Sequence, residues 1–84
     1  MSHFLYILRS LKDKKLYIGV SSSPEKRLIE HNKGKSKSTK YRKPFVLIYT
    51  EEFETKREAY KREWFVKNTG KGNIELRKRL VMPS

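Results

Sequence analysis

The 84-residue chain has no cysteine, which removes disulfides, thiolate nucleophiles and nearly all structural zinc sites. Imidazole is almost as scarce, with His3 and His31 the two rings available. Acid is also thin: nine Asp and Glu stand against 21 Lys and Arg, and Asp13 is the sole aspartate. A site that converges several carboxylates on two metal ions is therefore hard to assemble. Long apolar stretches are missing as well, since the longest runs, Phe4–Leu8 and Phe45–Tyr49, hold five residues each. Neither can span a bilayer or form the core of a secretory signal, so a soluble, cytoplasmic protein is expected. The apolar fraction of 36% is low, but aromatics at 12% supply bulky side chains for one modest core. What remains abundant is positive charge. A net +12 is the electrostatic footprint of a nucleic-acid partner.

Phe4-Leu5-Tyr6-Ile7-Leu8 and Leu16-Tyr17-Ile18-Gly19-Val20 read as two strands of one hairpin, joined by the polar loop from Arg9 to Lys15. Each carries a tyrosine where Leu or Val would fill a core more cheaply. If the paired residue numbers sum to an odd value, Tyr6 and Tyr17 share one face of the sheet and two phenols stand side by side. Ser23-Pro24-Glu25 then reads as a helix start with Ser23 as N-cap, and the helix should run to about Asn32, before Gly34. On its wheel Pro24, Arg27, Leu28 and His31 share an arc, opposite Lys26 and Glu30. Arg27 either lays its stem along the core edge or points its charge at chemistry.

Lys33 to Lys43 has no hydrophobic period and gathers Lys33, Lys35, Lys37, Lys40, Arg42 and Lys43, a loop whose cations repel one another unless a polyanion lies near. Pro44 introduces Phe45-Val46-Leu47-Ile48-Tyr49-Thr50, a run apolar enough to be covered on both faces and expected as the central strand. Strands are thus expected near residues 3–9, 15–20 and 44–50. Glu51, Glu52 and Glu54 read as a solvated acidic turn. Thr55-Lys56-Arg57-Glu58 is a capping box that opens a helix to about Asn68. That helix has Ala59 and Val66 on one side of its apolar arc, Tyr60 and Trp64 on the other, and Glu63 between them. An ionised carboxylate on such a stripe is costly unless paired or metal-bound, so Glu63 either meets a base such as Arg27 or holds a cation. Thr69 to Gly72 reads as a flexible connector, and Asn73 to Leu80 as a short terminal helix.

The order strand, strand, helix, strand, helix, short helix makes an α+β fold, a three-stranded antiparallel sheet flanked by helices, in a single domain spanning 1–84. Tyr6, Tyr17, Arg27, His31 and Glu63 are five awkward polar choices on core-facing positions. Together they suit phosphodiester hydrolysis: Glu63 for a cation, Arg27 for developing phosphate charge, and Tyr6, Tyr17 or His31 for proton transfer.

These residues carry a resemblance to the GIY-YIG nucleases, whose signature is two short strands with a Tyr in the first and Tyr-Ile-Gly in the second. Tyr17-Ile18-Gly19 is a literal match. In the first half Tyr6 follows Phe4-Leu5 in place of Gly-Ile. The resemblance extends from about Phe4 to Leu80 and looks nearest to small stand-alone members related to the amino-terminal nuclease domain of the UvrC excision-repair subunit. It implies an arginine at Arg27, a histidine one turn later at His31 and a metal-binding glutamate at Glu63. It also implies Tyr6 as the base or its relay, and Tyr17 as the group that positions water or phosphate. Where members carry an asparagine after the glutamate this chain has Glu75, and Val20 follows Tyr-Ile-Gly in place of a lysine. The expected activity is endonuclease cleavage of branched or damaged DNA, in repair or recombination, with one Mg²⁺ or Mn²⁺ at Glu63. DNA is favoured over RNA, with Lys35, Lys37, Lys40, Arg42 and Lys43 on the phosphates and room for a protein partner that supplies specificity. The competing reading is a non-catalytic nucleic-acid-binding module in which Glu63 salt-bridges Arg27.

Overall fold

β1 is the strand on which the sheet is built. The computed structural model describes residues 2–72 and Lys78. It orders β1 (His3–Ser10), β2 (Leu16–Ser21), α1 (Pro24–Asn32), β3 (Phe45–Phe53) and α2 (Lys56–Asn68) along the chain. Helical backbone resumes at Gly70, completing the β-β-α-β-α-α order. The sheet is antiparallel throughout, in the order β2-β1-β3.

The Phe45–Thr50 run is therefore an edge strand, not the central one. An apolar run reports covered faces and says nothing about covered edges. Here the fully covered strand is β1, where Leu5, Tyr6, Ile7 and Leu8 are all buried. β3 also runs further than expected, through Glu51 and Glu52 to Phe53. Glu51 is no solvated turn residue: its carboxylate accepts from Arg62 Nε at 2.9 Å and Nη2 at 3.2 Å, and both side chains are largely shielded from water.

Alternation along β1 feeds two cores. Tyr6 and Leu8 pack with Phe45 on the α1 side, joined by Tyr17, Leu28 and Leu47. Ile7 packs with Val66 of α2 on the other side, joined by Leu16, Ile18, Ile48 and Tyr49. A bulge lets both hold: Ile7 pairs with Tyr49 while Leu8 pairs with Leu47, leaving Ile48 as the extra residue.

Helix boundaries follow their local signals, although the caps differ in detail. Ser23 is the N-cap of α1 but makes no side-chain cap bond, and its own N–H donates to Ser21 Oγ at 3.0 Å. Thr55 Oγ1 accepts from the Glu58 N–H at 3.2 Å, while its hydroxyl donates to Glu58 Oε1, so the Glu58 carboxylate meets a side chain and not the N-cap backbone. α2 buries Ala59 and Val66 and leaves Tyr60 46% and Trp64 62% exposed, so the aromatic half of its apolar arc faces out. The segment after α2 is a built corner and not a loose connector. Thr69 Oγ1 donates to the Phe65 carbonyl and accepts from the Gly72 N–H at 3.0 Å. A Cβ on Gly72 would stand 2.6 Å from that same carbonyl oxygen, so only glycine closes so tightly. The short terminal helix expected over Asn73 to Leu80 lies, except for Lys78, outside the described residues. No helix among the described residues is long and apolar enough to cross a membrane.

Because Ile7 joins β1 to α2 at the centre of the second core, Ile7→Ala should cost about 2–5 kcal/mol, transfer and cavity terms together. The change is read as a lowered urea midpoint. A midpoint equal to wild type would remove Ile7 from the core.

Candidate active site

β1 and β2 pair so that Tyr6 faces Gly19 and Leu8 faces Tyr17. The paired numbers sum to an odd value, so both tyrosines project from the α1 face, as diagonal neighbours with ring centroids 6.4 Å apart. Gly19 makes this arrangement fit. A Cβ at that position would lie 2.6 Å from the Tyr6 hydroxyl oxygen and 2.7 Å from its ring carbon. The bare Cα thus lets the Tyr6 ring lie across β2, which is the mechanical content of glycine in Tyr-Ile-Gly.

α1 lowers His31 onto the same spot. Its ring lies 4.7 Å from that of Tyr17, 6.4 Å from Tyr6 and 5.9 Å from Phe45, centroid to centroid. His31 is 2% exposed. Its Nε2 faces the Tyr6 hydroxyl at 3.4 Å and its Nδ1 meets Thr39 Oγ1 at 2.8 Å. Burial first, and the Arg27 charge second, hold its pKa below 6.5. The ring is then neutral at physiological pH, with one nitrogen donating and the other accepting. Thr39, fully buried, was hidden from sequence reading by its Lys- and Ser-rich surroundings. A threonine amid such a loop, eight residues after a core-facing histidine, was the available signal.

Arg27 sits one turn before His31 at the solvent edge of this cluster. Its guanidinium acts on the Tyr6 hydroxyl, which raises the guanidinium pKa, and pairs with Glu30 Oε1 at 3.1 Å. The Tyr6 hydroxyl is held above its ordinary value mainly by burial, with the nearby Tyr17 and Glu63 charges adding and the Arg27 guanidinium opposing. Glu63 thus acts electrostatically on Tyr6 from α2. Its Oε2 accepts from Lys67 Nζ at 3.2 Å. The expected Glu63–Arg27 pair is not formed, because each residue has a closer partner on its own helix, one turn away. Among the described residues no group of three metal-capable side chains converges. A lone carboxylate suits a hard cation whose remaining ligands are water and phosphate oxygens.

The basic loop divides in two. Lys35 joins Arg27, Glu30, His31 and Ser36 around a cavity of about 80 Å³ beside the cluster. Lys40 and Lys43, with Lys33, Gly34 and Tyr41, line a separate cavity of about 330 Å³, and Lys37 is exposed. Arg42 stands apart, because its guanidinium is engaged inside the fold. It donates to Asp13 Oδ2 at 2.7 Å and to the Leu16 carbonyl at 3.3 Å, and lies over the Phe45 ring at 5.5 Å. The Lys15 backbone N–H and Arg42 hold the Asp13 carboxyl down to about 2.

The sequence matches the GIY-YIG catalytic domain over residues 2–75. The chain belongs to the GIY-YIG family. A UPF0213 protein of Staphylococcus saprophyticus is 48% identical over 66 residues, spanning 77% of this chain and 79% of its own length. The UPF0213 protein YazA of Bacillus subtilis is 41% identical over 76 residues, or 89% and 76% of the two chains. The solution NMR structure of a UPF0213 protein from Bacillus halodurans aligns with a TM-score of 0.55 at 35% identity, covering 96% of this chain and 86% of that one. This GIY-YIG domain thus shares fold and family signature with small bacterial relatives.

The buried imidazole of the GIY-YIG domain has a consequence for stability. Above pH 6.5 both folded and unfolded chains carry a neutral ring. Below 6.5 the unfolded chain binds a proton that the folded one resists until its lowered pKa is reached, so stability declines as pH falls through that window. His31→Gln should flatten this decline in urea midpoints taken between about pH 7.5 and 5. An identical slope would mean that the ring titrates freely in the folded state.

Proposed function

We propose that this domain is a structure-directed endonuclease that hydrolyses phosphodiester bonds in DNA with one divalent cation, in repair or recombination. The observation that carries this reading is the joining of Tyr6, Tyr17 and His31 at ring-contact distances, with Arg27 and Glu63 both within electrostatic reach of Tyr6. Neutral His31, held at Nδ1 by Thr39, accepts the Tyr6 proton at Nε2, and Tyr6 takes one from the attacking water. Tyr17 positions that water, and Arg27 meets the charge that develops on the phosphate oxygens. Glu63 would hold Mg²⁺ or Mn²⁺, which supplies Lewis-acid polarisation of the scissile phosphate and stabilises the leaving oxygen. The alternative is a non-catalytic nucleic-acid-binding module on the same scaffold, with Glu63 in a salt bridge, here to Lys67 and not to Arg27; absence of cleavage with retained binding in the wild-type chain would select it.

Glu63→Gln should abolish metal-dependent cleavage of labelled flaps and forks while leaving binding nearly intact, because the lost charge is negative and the phosphate contacts are cationic. Tyr6→Phe removes one hydroxyl and should lower the rate by about 10²–10⁴-fold without loss of fold. Cleavage by Glu63→Gln at the wild-type rate would sink this assignment of the site.

Contact with roughly five phosphates should give a log–log salt slope of about −4 to −5 on duplex DNA, and combined Lys35→Ser, Lys37→Ser and Lys40→Ser should flatten it by about 2 to 3. A slope that does not move would assign the loop to solubility alone.

A further inference from the structure

The outward aromatic arc of α2 is not used by either core. Lys56, Tyr60 and Trp64 follow one another at four-residue intervals and so share one face of the helix. Lys56 Nζ lies 5.9 Å from the centre of the Tyr60 ring. Tyr60 and Trp64 stay 46% and 62% exposed, in a chain with one tryptophan and a net charge of +12. Beside this face opens a cavity of about 350 Å³, lined by His3 of β1, Val20 and Ser21 at the end of β2, Ser22, Arg27 of α1, and Lys56 and Tyr60 of α2. Two cations, two serine hydroxyls, the His3 imidazole, the Tyr60 ring and Val20 line it, with no carboxylate among them. That is the donor set for a nucleotide: positive charge and O–H donors for a phosphate, and a ring for a base.

Arg27 also lines the smaller cavity beside His31. One guanidinium therefore borders both cavities, and a strand that crosses it puts one phosphate between Arg27 and Lys35 beside His31 and the adjoining nucleotide against Tyr60. A base in intact duplex has both faces stacked on its neighbours and cannot offer one to Tyr60. An unpaired base can.

We propose that the Lys56–Tyr60–Trp64 face and its cavity form a subsite for an unpaired nucleotide of DNA next to the scissile phosphate. This rests on the nuclease reading and names the feature that selects its substrate. The subsite makes the enzyme prefer a junction between paired and unpaired DNA over a continuous duplex. Its affinity comes from stacking on a rigid ring, which tolerates any base, so it selects DNA structure and not sequence.

The test uses the full chain without divalent cation, with Trp64 as the single fluorescent reporter. Three probes are titrated: an oligothymidine of about ten nucleotides, a blunt duplex, and the same duplex with an unpaired tail. The tailed and single-stranded probes should quench Trp64, and the blunt duplex should not. Tyr60→Ala should weaken the tailed probe by about 5- to 100-fold and leave the blunt duplex unchanged, whereas Tyr60→Phe, which keeps the ring, should retain wild-type affinity. Equal quenching by blunt and tailed probes, or an equal loss on both with Tyr60→Ala, would overturn the subsite. Adding Mg²⁺ separates the two claims. Cleavage of blunt and tailed duplexes at equal rates, unaffected by Tyr60→Ala, keeps the nuclease and discards the subsite. Tail-selective quenching without cleavage of any probe keeps the subsite and discards the nuclease.

Discussion

The contact of Tyr6 with the bare backbone of Gly19 is the constraint on which the rest depends. Tyr6 belongs to β1, which β2 and β3 flank, and its ring fits because the residue opposite has no side chain. With the ring laid across β2, its hydroxyl reaches the place where Tyr17, His31 and Arg27 arrive from β2 and α1. A side chain at Gly19 would lift the ring. His31 would then lose the group at its Nε2. Packing and chemistry use the same atoms here, because Tyr6 is at once a buried core residue and the hydroxyl at the centre of the site.

Charge in this protein is spent on the outside, and the site is defined by what stays neutral within. Burial holds His31 unprotonated and Tyr6 protonated, so both groups that meet at His31 Nε2 are uncharged. Arg27 works at the boundary. Its charge helps to keep His31 neutral and pulls against the raised pKa of Tyr6, while its guanidinium stays partly in solvent on Glu30. The acids are held by local partners, Glu30 and Glu63 each one helical turn from a base, and Asp13 by the loop it closes. Such exposed pairs contribute little stability and part readily when a stronger ligand enters.

Residues that act through local geometry were legible in the chain. Pro24 marked the first turn of α1, and the Thr55 hydroxyl does accept the Glu58 N–H where α2 begins. Period-two alternation put Tyr6 and Tyr17 on one face once the register was odd, and period 3.6 put Arg27 and His31 together. Other features were illegible because they are settled between elements. Phe45–Thr50 looks like a central strand because apolar character records burial of faces, while edge position depends on which strand hydrogen-bonds to which. Arg42 looks like any cation of the basic loop until its guanidinium is found on Asp13 and Leu16.

By itself, then, the sequence determined the elements, the faces of their side chains and the family signature, since each depends on residues within a few positions of one another. Tertiary structure decided that β1 lies at the centre, that Thr39 holds His31, that Glu63 meets Lys67 and not Arg27, and that Tyr60 and Trp64 face outward. Those outcomes compare partners distant along the chain, whose separation is fixed only when the sheet closes and both helices dock on it.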